Sequence, residues 1–507
     1  MTEANTVFDL LAAGDDEAPA LLASGRPPFD FAGLRAHVRA AVAELNALGI
    51  GRDDRVAIVL PNGPEMASAF LSFACGATTA PLNPDYRAEE FEFYLTDLGA
   101  KALVVARGSD SPAIAVAKAL RIPVHEIAWE ESDPAGRFAI AGAGSPAGAD
   151  ALLAEPDDVA LVLHTSGTTS RPKIVPLTHR NLCASARNIA ATLALTPKDR
   201  CLNVMPLFHI HGLIAAVLSS LGAGGSVFCA PGFNALRFFA WLAEAKASWY
   251  TAVPTMHQAI LTRASRNELV IKANPLRFIR SSSSSLPPRV MAELERAFSA
   301  PVIESYGMTE ATHQMASNPL PPGQRKPGSV GLPAGPEIAI MDEGGKLLPR
   351  GATGEIVIRG PSVTPGYEVN PEANAQAFAD GWFRTGDQGA MDEDGYLSIT
   401  GRLKEIINRG GEKVSPREVD EVLMDHAAVA QVVTFAMPHD KLGEEVAAAV
   451  VLREGRSASE AELREFARRH LAEFKVPRKI LFLDEIPKGA TGKLQRIGLA
   501  QKLGLGA

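Results

Sequence analysis

The sequence predicts an α/β protein with a large N-terminal domain of covered, mostly parallel sheets and a small α+β C-terminal domain. Three observations predict this fold. The chain has 507 residues, which is too long for one ordinary hydrophobic core. Its first part alternates short apolar runs with helical patterns, as βαβ units do. The pattern changes after Arg402, so we place the domains at 1–403 and 404–507.

The first strands and helices follow one another in pairs. The run from Val56 to Leu60 is uniformly apolar, as expected of a strand covered on both faces, and a helix is predicted from Pro64 to Cys75. A second helix is predicted from Ala88 to Leu98 and a second strand from Ala102 to Ala106. The stretch from Asp133 to Pro156 is rich in Ala, Gly, Pro and Ser and is predicted to be a loop between two subdomains.

No Asp, Glu, Lys or Arg occurs between Arg200 and Arg237. Pro206, two histidines and the glycines at 222, 224 and 225 interrupt this stretch, so it holds no run of 18 apolar residues. A buried helix around 213–221 followed by a buried strand is therefore predicted, and not a membrane span. After Arg402, helices are predicted at 418–423 and 460–471 and strands at 429–435 and 446–452.

Charge and cysteine usage exclude some classes of protein. The net charge of −8 argues against a nucleic-acid partner. The four cysteines have no Cys-x-x-Cys spacing, which predicts free, buried thiols in a reducing compartment, and we expect a cytoplasmic protein. The first five residues are polar and acidic, unlike a signal peptide.

The segment HTSGTTSRPK at 164–173 follows the apolar run Leu161–Leu163. Gly167 tolerates positive φ, so the turn can be tight, and its backbone N–H groups and hydroxyls can converge on phosphate oxygens. Lys173 adds a compact positive charge at the end of the loop. The Gly-Lys-Ser/Thr ending of a Walker loop is missing. Taken alone, the segment could also be a polar surface turn.

Four further motifs follow in order: SYGMTE at 305–310, GWFRTGD at 381–387, GRLKE at 401–405 and PKGATGK at 487–493. With the first loop, this set resembles the adenylate-forming superfamily of acyl-CoA synthetases, luciferases and peptide-synthetase adenylation domains. The resemblance covers nearly the whole chain, with Ser170 and Ile174 standing where Gly is commoner. It implies ATP, Mg²⁺, CoA and a small carboxylic acid as ligands, and a mobile small domain that rotates about a hinge at Lys404.

The resemblance also implies the members of the nucleotide site. Glu310 is expected to hold Mg²⁺, Tyr306 to stack on adenine, and Asp387 and Arg402 to bind the ribose hydroxyls. Lys493 is expected to be the catalytic lysine of adenylation. The full predicted ATP site is Thr165, Ser166, Gly167, Thr168, Thr169, Lys173, Ser305, Tyr306, Gly307, Thr309, Glu310, Asp387 and Arg402.

Two segments of the small domain are expected to meet CoA. The predicted residues are Gly410, Gly411, Glu412, Phe474 and Arg478. The two glycines would let backbone approach the pantetheine arm closely. Many family members carry a basic residue where Val476 stands, so the segment around it could also be a basic surface patch.

The predicted acid pocket is polar. Its members are His209, His211, Ser283, Ser285 and His313. A fatty-acid tail needs apolar walls, so this set suits a short second carboxylate instead. The segments FHIHG at 208–212, RSSSSSL at 280–286 and MTEATH at 308–313 resemble oxalate–CoA ligases.

Other readings of these residues stay open. His209 and His211 could be a zinc pair, although no Cys or acidic cluster completes a site. The serine run could be a turn that bonds its own backbone, and His313 could bond a core carbonyl.

We predict an ATP- and Mg²⁺-dependent acid–CoA ligase with oxalate as the leading acid. Alternatives are a ligase for malonate, another short acid or a medium-chain fatty acid, a luciferase-like oxygenase, and a carrier-loading enzyme. A non-catalytic nucleotide sensor on the same fold is a further alternative. The oligomeric state is not predicted.

Overall fold

A computed structural model of the chain describes residues 4–142, 151–165, 172–487, 494 and 496–505. Within these ranges the strands form four sheets. Three of them lie in a large N-terminal domain and the fourth in a smaller C-terminal domain, so the predicted fold class is confirmed. The precise limit between the domains, placed at 403/404, stays a prediction.

Seven strands form one sheet of the described chain. Five central strands are parallel and an antiparallel strand closes each edge. In spatial order the strands are Ala139–Ile140, Val124–Ala128, Ala102–Ala106, Arg55–Val59, Thr78–Pro81, Val159–Thr165 and Lys173–Thr178. The loop predicted from Asp133 to Pro156 is wrong at Ala139–Ile140, because these two residues pair with the strand Val124–Ala128.

A second sheet lies in the same domain and contains nine strands of the described chain. Its six central strands are parallel. In spatial order the strands are Leu332–Pro333, His313–Ser317, Val302–Met308, Phe278–Ser281, Trp249–Ala252, Arg200–Asn203, Ser226–Cys229, Pro19–Leu22 and Phe29–Asp30. The strand Ser226–Cys229 is fully buried and follows a buried helix, as predicted for the uncharged stretch.

Two smaller sheets complete the described strands. The third sheet is antiparallel and contains Glu337–Met341, Thr353–Arg359, Trp382–Met391, Phe378–Ala379 and Leu397–Arg402. The fourth sheet forms the small domain and contains Glu412–Val414, Ile407–Arg409, Gly443–Leu452, Val429–His439 and Lys479–Phe482.

Helices cover the sheets, and local signals set their ends. The helix Ala88–Leu98 ends where Gly99 takes a left-handed conformation, and Pro64 occupies the first position of the helix Pro64–Ala74. The other described α-helices of the large domain are Val7–Leu10, Phe31–Ala47, Pro112–Ala119, His179–Thr192, Ser219–Gly222, Phe238–Ala245, Pro254–Ala264, Glu268–Ala273, Pro288–Phe298 and Pro371–Ala377. Those of the small domain are Pro416–Met424, Glu460–Arg468 and Leu499–Lys502.

Several helical segments depart from the α form. Residues His211–Leu218 form a wider π-helix. Leu11–Ala13, Ser265–Asn267, Thr309–Ala311 and Glu473–Lys475 form 3₁₀ turns. None of the helices that the structure describes combines the length and apolar composition needed to cross a membrane.

Candidate active site

Tyr306, Asp387 and Arg402 join two sheets by hydrogen bonds. Tyr306 lies in the strand Val302–Met308, and its hydroxyl donates to Asp387 Oδ2, in the antiparallel sheet, at 2.5 Å. Arg402 lies opposite Asp387 in the neighbouring strand, and its Nε donates to Asp387 Oδ1 at 3.1 Å. Burial and the Asp387 carboxylate raise the pKa of the Tyr306 hydroxyl, so this hydroxyl stays a donor. The structure thus brings together three of the residues predicted to bind the nucleoside.

A second group surrounds Glu310, which lies in the 3₁₀ turn that begins at Thr309. Glu310 is buried, and its Oε1 accepts a hydrogen bond of 2.8 Å from the Tyr367 hydroxyl. Burial raises the pKa of the Glu310 carboxyl, whereas Tyr367 and the charges of Arg402 and Lys173 lower it. The ammonium nitrogen of Lys173 lies 4.3 Å from the centroid of the Tyr367 ring. Tyr367 therefore connects the predicted carboxylate with the predicted phosphate-binding lysine.

The two ends of the predicted phosphate loop lie opposite each other. Thr165 ends one strand and Lys173 begins the next, and the two residues are paired across the strands. Burial and the positive charge of Lys404 lower the pKa of Lys173. The predicted residues Ser166, Gly167, Thr168 and Thr169 lie outside the described residues, as does Lys493.

Gly307 is a close-contact position between strands Val302–Met308 and His313–Ser317. A Cβ atom at Gly307 would lie 1.7 Å from the carbonyl oxygen of His313, so only glycine fits here. The neighbouring Ser305 bonds the carbonyl of Ser281 through its hydroxyl, at 3.4 Å. Gly307 and Ser305 therefore fix the strands that carry the site.

His211 is the centre of the predicted acid pocket. It is fully buried and begins the π-helix, a form that occurs often at functional sites. Its Nδ1 lies 3.0 Å from Ser283 Oγ, and its ring lies 4.9 Å from that of His313, edge to face. The backbone N–H of His211 donates to His209 Nδ1 at 3.2 Å. The structure thus brings together His209, His211, Ser283 and His313.

Ser285 follows Ser283 by two residues in the serine run. With Ser284 it lines a cavity of about 140 Å³ between the two domains, beside Arg417, Leu494 and Arg496. The described residues contain no group of three or more His, Cys, Asp and Glu side chains that could hold a metal ion. Nothing in that part of the chain completes a zinc site at His209 and His211.

Arg280 was not among the predicted site residues, yet it lies against the acid pocket. Its guanidinium is fully buried in the strand Phe278–Ser281, and its Nη1 lies 3.4 Å from His211 Nε2. Thr251, whose hydroxyl lies 2.6 Å from the same nitrogen, was missed as well. The position of a charged residue within the strand Phe278–Ser281 could have marked Arg280 as a site residue. Nothing in the sequence marks Thr251 or Tyr367 in this way.

The predicted CoA residues lie on the small domain. Phe474 and Arg478 line a cavity of about 340 Å³ with Arg409, Glu445, Arg464, Glu473 and Val476. Gly410 and Gly411 follow Arg409 and form a two-residue hairpin turn with φ of 60° and 102°. Glu412 begins the next strand and is exposed. The hairpin and the cavity are therefore neighbours, joined through Arg409.

The predicted hinge, Lys404, lies in the turn between the two domains and is exposed. The next residue, Glu405, bonds Arg496 at 3.3 Å, and Arg496 also bonds Asp420 at 2.6 Å. A direct contact between the domains is the hydrogen bond of 3.4 Å from Gln258 Nε2 to the carbonyl of Ala430. In this arrangement the small domain packs on the face of the large domain that carries the serine run.

Comparison with known proteins identifies two domain families. Residues 9–368 match the AMP-binding enzyme family and residues 418–493 match the AMP-binding enzyme C-terminal domain. An oxalate–CoA ligase of Arabidopsis thaliana is 48% identical over 95% of this chain and 95% of its own length. One of Saccharomyces cerevisiae is 44% identical over 89% of this chain and 87% of its own length.

A solved structure has the same fold. The crystal structure of ATP-bound MatB from Rhodopseudomonas palustris superposes with a TM-score of 0.89, at 30% identity, over 98% of both chains. The predicted resemblance to adenylate-forming enzymes is confirmed by these matches.

Proposed function

This chain belongs to the AMP-binding enzyme family as an AMP-forming acid–CoA ligase, and we propose that oxalate is the acid it activates. The observation that carries the choice of acid is the buried cluster of His211, Ser283 and His313. It offers several hydrogen-bond donors within a short distance, which suits a short acid with a second carboxylate. The two relatives named oxalate–CoA ligases support the same acid.

The reaction needs two steps because a carboxylate has too poor a leaving group to react with a thiol. In the first step a carboxylate oxygen of the acid attacks the α-phosphorus of ATP, which forms an acyl-adenylate and releases diphosphate. In the second step the sulfur of CoA attacks the acyl carbon, and AMP leaves as the thioester forms. Negative charge develops on phosphate and carboxylate oxygens in the first step, so fixed cations that stabilise this charge should contribute most to catalysis.

The residues that we propose for nucleotide binding have matching chemistry. Asp387 can accept hydrogen bonds from the ribose hydroxyls, and the half-exposed Arg402 can donate to them. Lys173 would meet phosphate oxygens, and its contact with Tyr367, which bonds Glu310, supports this role. We propose Lys493 as the catalytic lysine of the first step. The resemblance of PKGATGK at 487–493 to the motif of the family supports this assignment.

Glu310 is the residue that we propose as the Mg²⁺ ligand. Mg²⁺ keeps several waters and binds through one or two carboxylates together with substrate phosphates, so one buried carboxylate fits. When bound, the ion would neutralise charge on the phosphates. Tyr367 orients the carboxylate by its hydrogen bond to Oε1.

For CoA, we propose that the cavity around Phe474 and Arg478 takes the nucleotide end and that the hairpin at Gly410–Gly411 meets the pantetheine arm. The basic side chains of Arg409 and Arg464 favour a phosphate there. The cytoplasmic location stays a prediction, and the four free, buried cysteines are compatible with it.

A diphosphate-release assay over oxalate, malonate, acetate and octanoate, with and without CoA, tests the function. We expect oxalate to give the highest kcat/KM, and thioester to form only when CoA is present. Octanoate or acetate as the best substrate would contradict the choice of acid and leave the ligase class intact. No diphosphate release with any acid would contradict catalysis itself.

A further inference from the structure

Arg280 carries a buried positive charge that no described carboxylate balances. Its side chain is fully buried, and its described hydrogen-bond partners, Gln314, Thr251 and His211, include no carboxylate. Nη2 donates to Gln314 Oε1 at 3.2 Å, and Nη1 lies 3.5 Å from Thr251 Oγ1 and 3.4 Å from His211 Nε2. The Nε atom has no hydrogen-bond partner among the residues that the structure describes.

Such a charge is costly to bury. Buried cations in proteins are normally paired with an anion, because losing their hydration is otherwise too expensive. Burial lowers the pKa of Arg280 to about 9, and the guanidinium is still charged at neutral pH. If this side chain served only to join strands through Thr251 and Gln314, a neutral hydrogen-bond donor could do the same. An anion supplied by a ligand would balance the charge.

The hydrogen bonds around His211 have a direction. A guanidinium can only donate, so His211 Nε2 accepts from Arg280 Nη1. The ring proton of a neutral His211 is then on Nδ1, where it donates to Ser283 Oγ at 3.0 Å. Thr251 reinforces this tautomer, because its hydroxyl can donate to the same Nε2 at 2.6 Å. A chain of donors therefore runs from Arg280 through His211 to Ser283.

We propose that Arg280 is a positioning residue that makes the acid pocket selective for a dianion. It fixes the tautomer of His211, and its charge strengthens the donors of His211 and Ser283 toward the second carboxylate of the bound acid. This inference rests on the proposed function, since it assigns the residue that recognises the second carboxylate. An acid of the same shape with a neutral second group gains less from this charge.

The test compares oxalate with oxamate, in which a neutral amide replaces the second carboxylate. Arg280→Gln keeps donors toward Thr251 and Gln314 but removes the charge, and Arg280→Lys keeps the charge. We expect the ratio of kcat/KM for oxalate to that for oxamate, measured by diphosphate release, to fall at least about tenfold in the Gln variant. The Lys variant should retain more of that ratio. The KM for ATP should stay unchanged in both variants.

Arg277→Gln is the matched control, because Arg277 pairs with Asp199 just before the same strand and lies outside the acid pocket. Its loss should lower stability and leave the ratio unchanged. An equal loss for oxalate and oxamate in Arg280→Gln, not restored by Lys, would show a structural role and overturn the inference.

A second variant keeps the test decisive if Arg280→Gln does not fold. Thr251→Val removes only the hydroxyl that His211 shares with Arg280, and it should lower the same ratio. An unchanged ratio in that variant would overturn the inference. A wild type without preference for oxalate over oxamate would overturn the proposed acid, and this inference with it. A wild-type preference that survives in Arg280→Gln would overturn only the role of Arg280.

Discussion

Neighbouring groups shift the pKa of single residues in the proposed nucleotide site. Burial raises the pKa of the Glu310 carboxyl, and the hydrogen bond from Tyr367 is the strongest side-chain influence in the opposite direction. A carboxylate that binds a cation must be ionised, so Tyr367 extends the pH range in which Glu310 can do so. A tyrosine outside the recognised motifs thus acts on a residue inside one.

Tyr367→Phe should move the acid limb of diphosphate release to higher pH. Removing the hydroxyl removes an influence that lowers the pKa of Glu310, so this pKa rises and the ionised fraction at a given pH falls. The measurement is kcat for diphosphate release between pH 5 and 9. Tyr396→Phe is the matched control, since Tyr396 also bonds through its hydroxyl and lies under a lysine, Lys326, away from the site. Superimposable profiles of wild type and Tyr367→Phe would refute this role.

Among the elements, the paired strands Val302–Met308 and His313–Ser317 leave no room for a side chain at Gly307. Gly307→Ala should therefore lower the free energy of unfolding by about 3 kcal/mol or more, because the new Cβ would overlap the carbonyl of His313. Thermal unfolding measures this loss. Gly51→Ala is the control, because a Cβ at Gly51 meets nothing within 4 Å. Equal melting temperatures for the two variants would show that the strands can separate at little cost.

Elements with strong local patterns could be predicted from the sequence. The helix Ala88–Leu98 and the strand Ala102–Ala106 have the predicted bounds, because apolar periodicity and a glycine stop mark them. In the small domain, the strand predicted at 446–452 begins three residues earlier, at Gly443. The helix predicted at 460–471 ends at Arg468. Element ends depend on tertiary pairing, which periodicity does not report.

The site was predictable where side chains stand in a motif and not where packing brings them together. His209, His211, Ser283 and His313 meet as expected because three motif segments converge on one sheet. The cluster of Arg280 with Thr251 and Gln314 arises from neighbouring strands and has no common spacing in sequence. The π-helix His211–Leu218 likewise follows from packing and not from local propensity.

In the molecule as a whole, a buried acid lies where the two domains meet. Glu304 belongs to the large domain and is buried, and its Oε1 accepts from the Leu286 N–H at 2.9 Å. Burial raises the pKa of the Glu304 carboxyl to about 7, and the charge of Arg417 in the small domain lowers it. The protonation of Glu304 is therefore coupled to the position of the small domain.

Glu304→Gln should raise stability relative to wild type more at pH 8 than at pH 5. Between pH 4.5 and about 7 the folded state binds more protons than the unfolded state, so wild-type stability falls as pH rises through this window. The amide does not titrate, so the variant lacks this loss, which is on the order of 2 kcal/mol. Melting temperatures at both pH values measure it, with the exposed Glu343→Gln as control. The same difference between variant and wild type at both pH values would disprove the raised pKa of Glu304.

Lys404→Pro should separate the two half-reactions. Proline fixes φ at 404 and restricts Leu403, whereas a hinge must change both dihedral angles. Among the described residues the Lys404 N–H donates no backbone hydrogen bond, so proline itself should be tolerated. We expect diphosphate release without thioester formation. Parallel assays of diphosphate and of free CoA thiol measure this, and the thiol should not be consumed. Lys404→Ala keeps the backbone freedom and should form both products. Thioester formation at the wild-type rate in the proline variant would place the hinge elsewhere.

The burial of Arg280 also bears on how the protein responds to ionic strength. Dissolved ions screen charges over about 8 Å at physiological salt, but only where they can approach. Arg280 is 0% exposed, whereas Arg402 of the proposed nucleotide site is half-exposed. Rising salt should therefore weaken the capture of the nucleotide while the preference between acids stays constant. A cell whose salt content fluctuates would then change the speed of this ligase without changing which acid it uses.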